Sequence, residues 1–231
     1  MPAASPATNT LALANRTTLW GTLLLVAVSW YFWDSPFLFP IRMFVVLLHE
    51  LGHATAALLT GGQVLRIELL YAEGGAAFTS GGSRFLILNA GYLGSLVFGC
   101  LLLVSSRSPR LVRPVVALVA LVTVLVTLIY LRPLLSFSFL YGAGASIALF
   151  LLARHAPSSL QLVVLRFLGL FSCLYALFDI RDDVLNFERV GAVSDATMLA
   201  SLTGIPAPLW GFGWFAGSVL LLYALRRRLF L

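Results

Sequence analysis

The sequence predicts an all-α polytopic membrane protein: a bundle of about seven transmembrane helices, with a short β-hairpin or re-entrant strand pair after the second. Three observations carry this. Of the 231 residues, 60% are hydrophobic and only 10% are charged. Mean hydropathy is +0.98. A soluble domain averages about 45–50% apolar and about 25% charged residues, so a soluble fold of this size has no core large enough for so much apolar surface. Thirdly, the apolar residues fall in long runs separated by short polar or Gly-rich segments.

Residues 1–16 are polar, small and Pro-containing, and read as a disordered tail. Residues 17–231 read as one integral-membrane domain. The tail has no basic n-region, and no small-residue cleavage site follows the first apolar run, which is therefore expected to be a retained span. Apolar runs occupy 18–33, 37–60, 84–105, 111–131, 134–153, 160–180 and 209–225. Each approaches the ~20 residues that cross ~30 Å of hydrocarbon. The run at 134–153 holds LSFSFLYGAGAS, whose small residues point to close helix packing.

Two connections are longer. In 61–82, Leu65, Ile67, Leu69 and Tyr71 alternate with Arg66, Glu68, Leu70 and Ala72, and Gly-Gly pairs punctuate the stretch. This period of two predicts a strand pair turning near Glu73-Gly74-Gly75. In 181–208, Ser194 and Asp195 are placed to cap a short helix that runs through Thr203 and stops at Gly204 and Pro206. Met198, Leu199 and Leu202 share one side of it, which places it at the membrane interface.

The formal net charge is +6, and all fifteen basic residues are arginine. They are sparse and cluster at the ends of apolar runs, which excludes a nucleic-acid surface and makes them topology markers. Arg107, Arg110, Arg113, Arg154 and Arg226 to Arg228 fall on one face, expected to be cytoplasmic. Cys100 and Cys173 lie inside apolar runs without CxxC spacing, and read as small core residues.

The chemistry is concentrated in VVLLHELGHATAALL, residues 45–59. His49 and His53 are one helical turn apart, so both imidazoles leave one face and can share a Zn²⁺ ion, with Glu50 as the base toward a zinc-bound water. The chain has only three histidines. An H-E-x-x-H arising by chance in this composition is on the order of one in two thousand. Ionisable groups inside a span are costly unless paired or functional.

A catalytic zinc needs a third protein ligand. His155 is expected on the opposite face. LYALFDIRDDVL offers Asp179, with Asp183 and Asp182 in reserve one turn on. The second and sixth spans run parallel, and the depths of His49–His53 and Asp179 differ by roughly 5–10 Å, within the slack of tilt. Asn89, in NAGYLGSLVFG, is a polar group in lipid, placed either to hold substrate or to bond between helices. Gly91, Gly94, Ser95 and Gly99 offer close packing beside it.

HELGHA on a span, a Gly-rich strand pair after it, a helix with Asn-Ala-Gly and a late helix ending in Asp together resemble the site-2-type intramembrane zinc metalloproteases of the M50 family, most nearly its M50B-like branch. SDATMLASLTGIPAPLWGFGW, residues 194–214, is similar to that branch as well. The resemblance implies zinc held by His49, His53 and Asp179, Glu50 as base, a membrane-protein substrate paired to the strands by β-addition, and a bacterial plasma membrane as location. Two departures are visible: three helices separate the histidine and Asp179 helices where the family has one, and Ile180-Arg181 follows Asp179 in place of a glycine. Two other classes compete with a protease. One is an inactive M50-like scaffold or regulator; the other, a small metal transporter, lacks the polar residues at several depths and the inverted repeat it needs.

Overall fold

The computed structural model describes residues 24, 28, 31, 32, 35–71, 74–180 and 194–229, with side chains through 175 in the sixth-span helix and through 225 in the last. The elements are α1 (Phe39–Leu59), β1 (Gln63–Leu70), β2 (Gly74–Ser80), α2 (Arg84–Ser105), α3 (Pro109–Ile129), α4 (Phe137–His155), α5 (Ser158–Ile180), α6 (Asp195–Thr203) and α7 (Ala207–Leu229). Among the described residues, all of these helices except α6 are long and apolar enough to cross a membrane, six in total. The protein is an integral, multi-pass membrane protein. The expected span at 18–33 lies almost wholly outside the described residues, and the expected tail at 1–16 entirely so.

Helix ends follow local chemistry. Pro40 opens α1, where its missing N–H costs nothing. The Ser136 hydroxyl caps α4 by accepting from Phe139 N–H at 3.3 Å. The C-terminal end of α4, at Arg154 and His155, leaves carbonyls that no turn of its own can satisfy. Arg113 of α3 donates to Ala153 O at 2.7 Å and Arg154 O at 2.6 Å. Gln161 of α5 donates to Ala156 O at 3.0 Å. Three helices are thereby pinned together at that face.

Within lipid the hydrophobic effect does not drive helices together, so close packing and internal hydrogen bonds must do so. The backbones of α1 and α2 meet at glycines: a Cβ on Gly94 would lie 2.8 Å from Gly52 Cα, and one on Gly52 would overlap Ala90 O. Some polar side chains in the spans bond to their own helix, as Thr127 does to Thr123 O at 2.7 Å and Ser146 to Gly142 O at 2.7 Å, and Ser172 reaches across to Ser95 O at 3.0 Å. Cys100 and Cys173 are free and buried where α2 meets α5, their sulfurs 3.8 Å apart.

The strand pair forms where the period-two pattern places it. β1 and β2 are antiparallel, with Ile67 opposite Ala77 and a bulge between Val64 and Arg66. Ile67 and Leu69 face the core. The outer edge of β1 is already occupied: Ile67 N–H donates to Tyr130 O at 2.8 Å, and Leu69 N–H to Ser138 Oγ at 2.8 Å. In an antiparallel ladder, residues whose polar groups leave one strand's outer edge face partners that do likewise. Gly75 and Ala77 therefore turn their backbone groups to the outer edge of β2, the side that packs on α1.

The expected short helix is α6. Ser194 and Thr197 form a capping box, with Ser194 N–H donating to Thr197 Oγ1 at 2.9 Å, and Gly204 ends the helix at φ 75°. Leu199 is fully buried, and α6 packs on α2 and α7.

Candidate metal centre

His49 lies at the middle of α1, ten residues from each end, roughly 15 Å along the axis. His49, Glu50 and His53 are each 4–6% exposed. Their ligand-type atoms come within 4.8 Å of one another. The i, i+4 spacing turns both imidazoles toward α2, and Gly91 makes room for them. A Cβ at Gly91 would collide with His49 Nε2 and lie 2.6 Å from His53 Nε2. Replacing Gly91 by alanine is therefore expected to weaken metal affinity roughly 10- to 100-fold, the range found when groups that position metal ligands are disturbed. Metal titration of the purified variant checks this; unchanged affinity contradicts it.

The two Nε2 atoms are 3.0 Å apart. A third donor closes the triangle: Asp195 Oδ2, at 2.9 Å from His49 Nε2 and 3.1 Å from His53 Nε2. The Asp195 side chain is 10% exposed. Burial alone would push its carboxyl up, but the two imidazoles facing it outweigh burial and hold it well below the usual carboxylate range. His53 Nδ1 donates to Ile87 O at 2.6 Å, which in the neutral ring leaves Nε2 as a lone pair. His49 Nδ1 finds no partner among the described residues. Lone pairs of two imidazoles and a carboxylate converge with edges near 3 Å, the spacing of donors that share one cation at ~2.0–2.2 Å. The residues present fit a zinc ion.

Glu50 stands beside this triangle. The backbone N–H of Ala77 in β2 is directed at its carboxylate. Gly75 lies close under it; a Cβ there would be 2.6 Å from Glu50 Oε1. An aromatic wall closes the other side. Tyr92 and Tyr175 meet the His49 ring edge-on at 4.7 and 5.1 Å, and Trp214 of α7 stacks on Tyr92 at 4.3 Å. Such a wall keeps bulk water from the donors.

Of the residues singled out in the sequence, His49, Glu50 and His53 come together. Asp179 is in the last turn of α5, its side chain outside the described residues, and Asp182 and Asp183 are outside them altogether. Asn89 accepts from Trp214 Nε1–H at 3.1 Å and donates to Phe85 O at 2.9 Å. Both ends of its amide are engaged, and it ties α2 to α7 above the histidines. Sequence reasoning missed Asp195 at this site, because an acidic residue opening a short helix already has a local explanation. The signal was Leu199: four residues on, it shares Asp195's face, and that face turns inward.

Helical spans around a buried set of metal-ligating side chains define a class, the polytopic membrane proteins with a candidate metal centre in the bundle. The family model described as Peptidase M50B-like matches residues 22–225, and the chain belongs to that family. No curated protein and no solved structure matches it.

Proposed function

We propose that the protein is a zinc-dependent intramembrane endopeptidase in which His49, His53 and Asp195 hold the metal and Glu50 is the base. Asp195 replaces Asp179, Asp182 and Asp183 in this reading. The observation that carries it is the triangle of His49 Nε2, His53 Nε2 and Asp195 Oδ2 with edges of 2.9–3.1 Å, beside a buried glutamate. A zinc ion held there supplies Lewis-acid polarisation of a carbonyl and water acidified toward a pKa of ~7. Glu50 takes the proton from the attacking water at its carboxylate and returns it to the leaving amine. Ile87 O fixes the His53 ring, and Ala77 N–H orients the Glu50 carboxylate.

The strands supply the substrate's place. A peptide bond inside a helix is shielded by its own hydrogen bonds, so a helical substrate must be drawn out before it is cut. The outer edge of β2 runs along Glu50; Ala77 N–H stays with the Glu50 carboxylate, and the backbone groups of Gly75 beside it are the ones offered to an extended segment by strand addition. Asn89 acts here through Trp214, holding the aromatic wall in place; the substrate contact expected of it passes to the β2 edge.

The test is metal content and cleavage together. Purified protein in bilayer discs is expected to hold about one equivalent of zinc, the stoichiometry of a single three-ligand site. It is expected to cleave a membrane-spanning substrate, lose both properties on chelation, and regain both on zinc addition. A protein that takes up no zinc after its addition overturns the proposal.

A further inference from the structure

We propose that the groove between α3 and α4 binds an anionic glycerophospholipid of the surrounding bilayer, with its phosphate at the arginine-rich face and an acyl chain between the helices. This site is remote from the metal centre and stands whether or not the chain is a protease.

The groove has a volume of about 780 Å³, within the ~300–1,000 Å³ of ligand sites. Its walls are apolar: Ala117, Leu121 and Val124 from α3, Ile147 and Phe150 from α4. Small residues at Ala117, Ala120, Ser146 and Ala153 make the depression between larger neighbours. At one end stand Arg113 and Arg154. From Arg113 to Val124 is eleven residues, roughly 17 Å of helix, the depth of about one leaflet of a ~30 Å hydrocarbon core. The groove thus starts at the level of headgroups and ends near the bilayer midplane, as one acyl chain does.

Charge selects the headgroup. Arg107 and Arg110 stand on the same face as Arg113 and Arg154, with Arg166 entering on α5. No aspartate or glutamate occurs between Glu73 and Asp179, so none of the helices packed on the groove (α2, α4 and α5) brings a carboxylate to that rim. Arg113 is held in place by the α4 carbonyls it caps, with its guanidinium beside the groove. A phosphodiester with a neutral or anionic headgroup balances this cluster; a choline or ethanolamine headgroup adds a cation to it. Basic residues at a membrane surface attract anionic lipid by just this charge term.

The test is native mass spectrometry of the full chain, delipidated and then titrated with phosphatidylglycerol or phosphatidylcholine of identical acyl chains. One phosphatidylglycerol adduct is expected, favoured over phosphatidylcholine by about tenfold. The doubly substituted R110Q/R154Q protein, altered at two exposed positions that cap no helix, is expected to lose that preference. Ala117→Trp, which fills the groove and leaves every arginine in the chain, is expected to lose the adduct of either lipid, with helical content by circular dichroism unchanged. Equal binding of the two lipids overturns the proposal, as does a phosphatidylglycerol adduct that persists in both variants. A dimer abolished by Ala117→Trp also overturns it, since a second copy then occupies the groove.

Discussion

Glu50→Gln is expected to leave about one zinc bound and to lower cleavage by roughly 10²–10⁴-fold, the contribution of a well-placed general base. Glutamine keeps the shape of the side chain and an oxygen that still accepts from Ala77 N–H, so the packing against β2 and Gly75 is preserved. What it loses is a carboxylate that can take a proton. The measurement pairs metal content with turnover of a membrane-spanning substrate. Wild-type turnover in the variant removes Glu50 from the chemistry. Loss of zinc from a folded variant moves Glu50 into the coordination shell.

Asp195→Ala is expected to lower zinc affinity by more than about 100-fold, beyond the loss seen when only a supporting group around a site is removed. Asp179→Ala is expected to leave affinity within about twofold, since only one carboxylate is needed to complete a three-ligand catalytic site. The comparison is informative because the Asp195 change does not disturb the helix that carries it. Ser194 and Thr197 cap α6 without its side chain, and Leu199 still anchors it in the core. The opposite result, zinc lost from the Asp179 variant and kept by the Asp195 variant, assigns the third ligand to Asp179. Titration with a competing chelator resolves the two.

Much of the fold was legible in the chain because membrane helices are local objects. A run of apolar residues satisfies its own backbone hydrogen bonds, and lipid leaves it no alternative. Hence 84–105 was expected and Arg84–Ser105 forms, while 134–153, with its glycines and serines, still becomes Phe137–His155. The strand pair was legible for the same reason, since alternation in 65–72 marks a surface with one side to the core. So was the start of α6 at Ser194, although Thr197, and not Asp195, completes the cap.

Half of the candidate centre was equally local. An i, i+4 pair of histidines on a helix faces one way whatever the rest of the fold does, and the adjoining glutamate comes with it. The sequence by itself therefore determined the six spans from residue 37 onward, the strand pair, and His49, Glu50 and His53 as one cluster. The tertiary structure alone decided which groups meet that cluster across 146 positions of chain, bringing Asp195 to His49 on a helix too short to cross the membrane. It likewise decided that Gly91 makes space for the imidazoles, and that Trp214 takes up the amide of Asn89. The physical reason is that periodicity encodes which side of an element is apolar, and says nothing of which other element fills that side. That choice rests on the fit of small residues such as Gly52, Gly91 and Gly94, summed over the whole bundle.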